Sequence, residues 1–460
     1  LKLILNGYVI TMDRQRRIFV KGGIAFEGSS IVEVGRSDEL KNRYPKAEII
    51  DATDKIVLPG LIDSHVHFFQ CLYRGLGDDL PLVDWLKKCI WPLSKTLGRE
   101  ESRIGTLLCT LEMLKTGTTC AVDSHYITRD KYCYDGIAEA IETIGLRGMV
   151  VRSTVNQAPA PEYFHEDIDT AEREAARVIE TYHGKAEGRI KVRVEPLNEA
   201  LASSDMIKAM SQVAKNYSVG FSMHLAEVKS RVDEIKQKYG LSSVGYLNSL
   251  GALGPNSLLA HCIWLEDGDF DLLADTDTKV VHNSVSNQYL ADGVAQVPRL
   301  LKRGVNVVLG ADGAASNNNQ DMFEVMKAAV LLQKVHTLDS QSLTAEKALE
   351  MATIDAARAL GMEDEIGSLE PGKKADIILV DLLRPEMTPS ISNVSNLVYS
   401  AKGSSVDTVI VDGRTVVENK RLVTMDEISI IKTANSTVRR MIEKTGDRSL
   451  LNPGSWTRIQ

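Results

Sequence analysis

The stretch VLPGLIDSHVHFF, residues 57–69, holds a short strand pattern, Leu61-Ile62-Asp63, that runs into two histidines, His65 and His67. It is entered from the apolar run Lys55-Ile56-Val57-Leu58 through Pro59-Gly60. Residues i and i+2 of a strand point to the same side, so both imidazoles can meet one metal ion at a strand end. Two histidines near a turn explain the pattern equally well when it stands alone. The rest of the chain has to decide.

Downstream, roughly residues 59–363 alternate helices with short apolar strands. The spacing predicts helices over Arg103–Lys115, Thr170–Thr181 and Ser204–Lys215. It predicts strands over Thr119–Val122, Gly148–Arg152, Ile190–Val194, Gly220–His224, Ser257–His261, Lys279–His282 and Val305–Gly310. Repeated β-α alternation over about three hundred residues fits an α/β fold of the (β/α)8 TIM-barrel type. A doubly wound open sheet is the alternative, weakened because no glycine-rich phosphate turn follows an early strand. Both termini read differently. Leu3–Gly7, Gly23–Gly28 and Ile31–Gly35 are short strands punctuated by Gly, Asn and Ser, and the same texture returns at 372–381 and 406–413. Neither end has enough strands for its own core, so the two should pair into one small β-sandwich. The expected division is 1–58 with 364–430 as the sandwich, 59–363 as the barrel, and 431–460 as a C-terminal helical extension.

In a barrel, function sits at the C-terminal ends of the strands. The candidate strands end in His65 and His67, in His224 with Glu227 three residues on, in His261, in His282 and in Asp312. Five of the nine histidines thus stand at strand ends. Singly, each has an ordinary reading: His224 or His261 a buried core histidine, Asp312 a turn residue before Gly313, Glu227 a helix-start carboxylate. Jointly they supply three imidazoles and a carboxylate, a ligand set that suits zinc or iron(II). His125, His165, His183 and His336 fall off the pattern and read as core or surface residues.

The composition is 43% hydrophobic and 25% charged, with a net charge of -8 and no basic run, which argues against a nucleic-acid partner. Leu1–Gly7 is too short for a signal peptide, and no apolar run approaches the roughly 18 residues of a membrane span. Six scattered cysteines without C-x-x-C pairs read as reduced thiols of a cytoplasmic protein without a membrane partner.

The segments PGLIDSHVH, SMHLAEV, LLAHC, VVHNSVSN and LGADGAASNNNQDMF, with RGLGDDLPLVDWL (74–86) and the region 349–381, resemble the amidohydrolase superfamily. Within it the likeness is to triazine hydrolases and to purine or nucleoside deaminases, and it spans nearly the whole chain. The resemblance implies a metal-bearing (β/α)8 barrel with a β-sandwich from both termini, in a homo-oligomer. It implies one divalent ion, zinc or iron(II), held by His65, His67, His224 and Asp312. Glu227 matches the proton-shuttling glutamate, and His261 the histidine that positions the attacking water. Asp312 would accept a proton from that water. The expected reaction replaces an exocyclic amino group on a nitrogen heterocycle: a purine or adenosine derivative, a pterin or an aminotriazine. Release of chloride or an alkylamine from a triazine is the second enzymatic reading, and a catalytically silent barrel the third.

Ser94 stands where nucleoside-acting members carry a glutamate, and Leu197 where they carry a histidine. Gly313 stands where the triazine chlorohydrolase has an asparagine. Candidate substrate contacts are Trp85, Arg152, His282 and Ser316, with Trp264 a further aromatic wall. Each has a structural reading beside it, an ion pair for Arg152 and core packing for the tryptophans.

Overall fold

The computed structural model describes residues 1–126 and 130–447. Its centre is a ring of eight parallel strands joined in sequence order: Leu61–Val66, Thr118–His125, Arg147–Thr154, Ile190–Pro196, Gly220–Leu225, Ser257–His261, Lys279–His282 and Val307–Leu309. The last strand closes on the first where Asp312 N–H donates to His65 O at 2.9 Å and Ala311 N–H to Asp63 Oδ1 at 3.0 Å. Closure therefore sets Asp312 beside the histidine pair.

Side chains alternate across each strand. Ile62, Val122, Met149, Val151, Leu258, Val281 and Val308 pack together along the barrel axis. Val150, Val192, Val194, Leu259, Val280 and Val307 face the surrounding helices. The helices start where the sequence places capping side chains. Asp167 accepts from Thr170 N–H at 2.7 Å at the head of Ile168–Tyr182, and Ser203 from Met206 N–H at 3.2 Å at the head of Ser204–Tyr217. The base of the barrel is closed by Ala356, Ala357, Leu360 and Met362, in and after the helix Ile354–Ala359.

The two ends of the chain join into one nine-stranded mixed sheet. Strand Lys55–Pro59 lies at its centre, antiparallel to Ile377–Asp381 with Val57 opposite Leu379, and parallel to the N-terminal strand Lys2–Ile10. It reads as a continuous apolar run because both of its faces are covered. Val57 packs inside the sheet unit with Ile377 and Leu379, while Ile56 and Leu58 face the barrel with Ile378 and Val380. Gly60 then carries the chain into the barrel at a close approach, since a Cβ there would lie 2.0 Å from Thr119 Oγ1. Arg147, buried at the start of the third barrel strand, bonds Asp376 through Nε and Nη2 (2.8 and 3.0 Å) and Asp412 through Nη2 (3.2 Å), locking sheet to barrel. Helix Glu427–Thr445 packs on the barrel helix Arg99–Lys115, and residues 448–460 of the expected extension lie outside the described residues.

The second barrel strand runs beyond the expected Val122 to His125, because Asp123, Ser124 and His125 still pair with Val150, Val151 and Arg152. His125 is thus a strand-end residue that sequence reasoning set aside. All six cysteines are buried and unbridged. No helix among the described residues is long and apolar enough to cross a membrane.

Candidate metal and catalytic site

Inward or outward facing along each strand decides which strand-end residues meet. In the first strand Ile62 pairs with Cys120 and Asp63 with Ala121, but Val66 pairs with Asp123. The one-residue surplus is a β-bulge. It lets Ile62 face the axis below while His65 and His67, on either side of outward-facing Val66, face it above. On the fifth strand His224 shares its side with Gly220 and Ser222 and needs no such device. His261 has the parity of outward-facing Leu259, yet its backbone is left-handed, with φ 71°. Asp312 is left-handed too, at φ 65°. Such conformations cost a non-glycine residue roughly 1–2 kcal/mol and collect at functional sites. Here they break the alternation and swing the side chains toward the centre.

His67 Nε2 lies 3.0 Å from Asp312 Oδ1 and 3.3 Å from His224 Nε2. His65 Nε2 lies 3.7 Å from Asp312 Oδ1. Ligand atoms of His65, His67 and His224 fall within 4.8 Å of one another, as do those of His65, His261 and Asp312. His67 Nδ1 donates to Ser124 O at 2.6 Å, and His224 Nδ1 faces Glu195 Oε1 and Leu197 O, each at 3.3 Å. A carbonyl or carboxylate can only accept, so the outer nitrogens carry protons and the Nε2 lone pairs face each other. His65 Nε2 is buried without a hydrogen-bond partner. Three imidazole lone pairs and a carboxylate oxygen around one point fit a divalent cation and little else. Burial disfavours a charged His224, but Glu195 overrides it and raises the pKa to about 9. A cation would displace that second proton.

Glu227 lies half-buried beyond the end of the fifth strand, its Oε1 3.7 Å from His261 Nε2. Burial lifts its pKa to about 7; Asp312 and Glu199 add to the rise and His224 opposes it. Asn287 Oδ1 accepts from His261 Nδ1 at 2.9 Å, and burial holds His261 below its usual pKa. His261 Nε2, 4.0 Å from Asp312 Oδ2, is therefore its acceptor atom. The cleft above these groups is walled by Leu82, Trp85, Trp91, Leu197, Leu201 and Leu290, with Gln70, Tyr126 and Ser316 as polar points.

The expected substrate contacts separate. Trp85 lines the cleft, held by Nε1–H to Ala315 O at 3.2 Å, and so does Ser316, which accepts from Ser286 Oγ at 3.0 Å. Arg152 and His282 do not. Arg152 has the outward parity of Val150 and spends its guanidinium on both oxygens of Glu166, each at 2.6 Å. His282 has the outward parity of Val280 and is fully buried. Trp264 bonds Asp292 O at 2.9 Å away from the cleft lining. Leu197 lines the cleft, whereas Ser94 is buried 3.5 Å from Tyr73 OH. Gly313 makes room for Gln70, whose Oε1 would sit 1.8 Å from a Cβ there.

Sequence reasoning missed Glu195, Ser124 and Asn287, which orient the imidazoles. Glu195 closes its strand as His224 closes the next, and that was the available signal.

The amidohydrolase family pattern matches residues 56–416. The chain belongs to the amidohydrolase family. This amidohydrolase is 39% identical over 444 residues to the 5'-deoxyadenosine deaminase of Methanosarcina acetivorans, covering 96% of this chain and 98% of the relative. It is 36% identical to the 5-methylthioadenosine/S-adenosylhomocysteine deaminase of Thermoanaerobacter pseudethanolicus, over 96% and 99% of the two chains. Among solved structures it matches a zinc-bound adenosine deaminase from Xanthomonas campestris with a TM-score of 0.90 and 28% identity, over 96% and 98%. It also matches the zinc complex of an atrazine chlorohydrolase from Arthrobacter aurescens with a TM-score of 0.90 and 25% identity, over 95% and 100%.

Proposed function

We propose that this amidohydrolase is an aminohydrolase that converts the amino group of an adenosine derivative to a carbonyl, releasing ammonia, with one zinc ion held by His65, His67, His224 and Asp312. The observation that carries the reading is the approach of His67 to His224 at 3.3 Å and of His65 and His67 to Asp312 at 3.7 and 3.0 Å, with Glu227 lining the apolar cleft they open into. A divalent ion there supplies an acidified water, with a pKa near about 7.

The chain's own groups do the proton work. Asp312 accepts a proton from the attacking water, and neutral His261 accepts a hydrogen bond from it at Nε2. Glu227, its pKa raised by its desolvated setting, hands its proton to the ring nitrogen beside the attacked carbon. That makes the carbon electrophilic as oxygen adds. Return of a proton to the exocyclic nitrogen lets it leave as ammonia, and the ring keeps the oxygen. The leucine and tryptophan walls hold a flat ring and exclude bulk water.

The named relatives at 36–39% identity are deaminases of adenosine derivatives, while the triazine hydrolase likeness stands at 25%. Leu197 adds an apolar side chain to the cleft wall. The test is ammonia release from 5'-deoxyadenosine, 5'-methylthioadenosine, adenosine, adenine, a 4-aminopteridine and melamine. Highest kcat/KM on the first two is expected. Activity confined to linear amides or esters would sink the deaminase reading, and chloride release from a chlorotriazine without ammonia release would favour the other.

A further inference from the structure

At the opposite end of the barrel lies a second cavity, of about 200 Å³, lined by His183, Lys191, Arg193, Gly220, Asn256 and Gly361 among others. Lys191 and Gly220 stand at the starts of the fourth and fifth strands, and Gly361 follows the helix that closes the base. No carboxylate lines this cavity.

Arg193 is 4% exposed, yet among the described residues no carboxylate forms an ion pair with it, and Glu195, two residues along the strand, acts on it only at longer range. Its hydrogen bonds go to neutral acceptors: Ser222 Oγ at 2.9 Å, Phe221 O at 2.8 Å and Asn256 O at 2.9 Å. The acidic inward residue of its strand, Glu195, is taken by Ser124 and His224. Arg147 and Arg152, also buried, have carboxylates, whereas the guanidinium of Arg189 bonds only Leu146 O, at 2.9 Å, among the described residues. A buried cation without a counter-charge is costly. Its Nη1 makes no hydrogen bond among the described residues. It lies over Gly220, where a Cβ would come within 2.0 Å of it. A Cβ at 220 would also lie 2.2 Å from Cζ, so a side chain there would displace the guanidinium itself.

Two further donors line the same cavity. His183 Nδ1 accepts from Val192 N–H at 3.2 Å, which leaves its Nε2 as the N–H. Lys191 Nζ pairs with Glu365 at 2.6 Å in a partly exposed bridge, so the ammonium can be shared.

We infer that this cavity is a binding site for a tetrahedral oxyanion, held by Arg193 Nη1, Lys191 Nζ and His183 Nε2 at the end of the barrel remote from the histidine cluster. The shared chemistry is a phosphate group, either free or the head of a small monoester. Three donors lining one cavity serve such an anion better than chloride, because its several oxygens can each accept one.

The experiment is thermal unfolding of the full-length, metal-loaded protein against increasing inorganic phosphate, with chloride making up constant ionic strength. Glycerol phosphate forms a second arm. A saturable rise in Tm with phosphate over chloride is expected. Phosphate alone raising it assigns the free anion; both compounds raising it assign the monoester head. Lys191→Met and His183→Ala alter partly exposed side chains, so both variants should fold. Each should weaken the phosphate midpoint by about tenfold, the scale of one charge-assisted hydrogen bond. Absence of any rise over chloride overturns the inference. So does an unchanged midpoint in both variants, which would put the anion elsewhere, including the metal site.

Discussion

At the C-terminal mouth of the barrel, atoms that accept hydrogen bonds crowd together: the Nε2 lone pairs of His65, His67 and His224 and the carboxylate of Asp312. At the N-terminal mouth, groups that donate line one cavity instead: Arg193, Lys191 and His183. One mouth would then suit a cation and the other an anion. The fourth strand, Ile190–Pro196, shows how one element serves both. Ile190, Val192 and Val194 face the helices, while Lys191, Arg193 and Glu195 face inward, basic below and acidic above. The axis of a barrel is usually filled with apolar layers. Here part of it is a polar column whose sign reverses between the fourth residue of the strand and the sixth.

The largest effect that can break this contrast is loss of the upper cluster itself. His224→Ala should remove nearly all bound zinc and nearly all turnover together, measured by elemental analysis and ammonia release on the same preparation. Full zinc occupancy in that variant would show that the acceptors at this mouth are not a metal site.

Next in size, Glu227→Gln should keep zinc and Tm but lose at least about a hundredfold in kcat, the usual scale of general acid-base catalysis. Near-normal turnover would move the proton to another group. Glu195→Gln tests the link between the column and the metal. It keeps the shape but weakens the acceptor for His224 Nδ1, and zinc affinity should fall about 10–100-fold, as for other groups that hold a ligating histidine. An unchanged affinity in competition with a chelator would mean that Leu197 O alone orients the ring.

The strands were legible because apolar runs bounded by turn residues persist whatever surrounds them. Ser257–His261 and Lys279–His282 fall on their expected limits. The candidate metal cluster was legible because strand ends are where a barrel keeps its chemistry. What the sequence could not give was the sense of alternation. Ile190 to Glu195 alternates apolar and polar, which in an ordinary half-buried strand would send Arg193 to solvent. The helices cover the apolar face instead, so the charges turn inward. The same ambiguity put Arg152 and His282 in the expected site when their parity faces the helices. The bulge after Asp63 and the left-handed backbone at His261 decide facing through long-range pairing, and neither leaves a local signature. His125 was passed over for a related reason: Asp123 and Ser124 read as a loop until a neighbouring strand supplies their partners.

The smallest expected effect asks whether the two mouths are independent. Gly220→Ala places a methyl group 2.0 Å from Arg193 Nη1, and the guanidinium is pinned by its bonds to Ser222, Phe221 and Asn256. It cannot simply swing away, so the substitution should cost about 1–3 kcal/mol, the range for overpacking a filled interior. In a chain of this length that lowers Tm by only a few degrees. His224, four residues along the same strand and on the same side, sits above Ser222 and is held from the far side by Glu195. Zinc content and kcat should therefore stay near wild type while the phosphate response disappears with the space Nη1 needs. A parallel loss of zinc would mean that strain at the base travels up the polar column, and that the cation and anion ends are coupled through Arg193 and Glu195 rather than merely stacked on one strand.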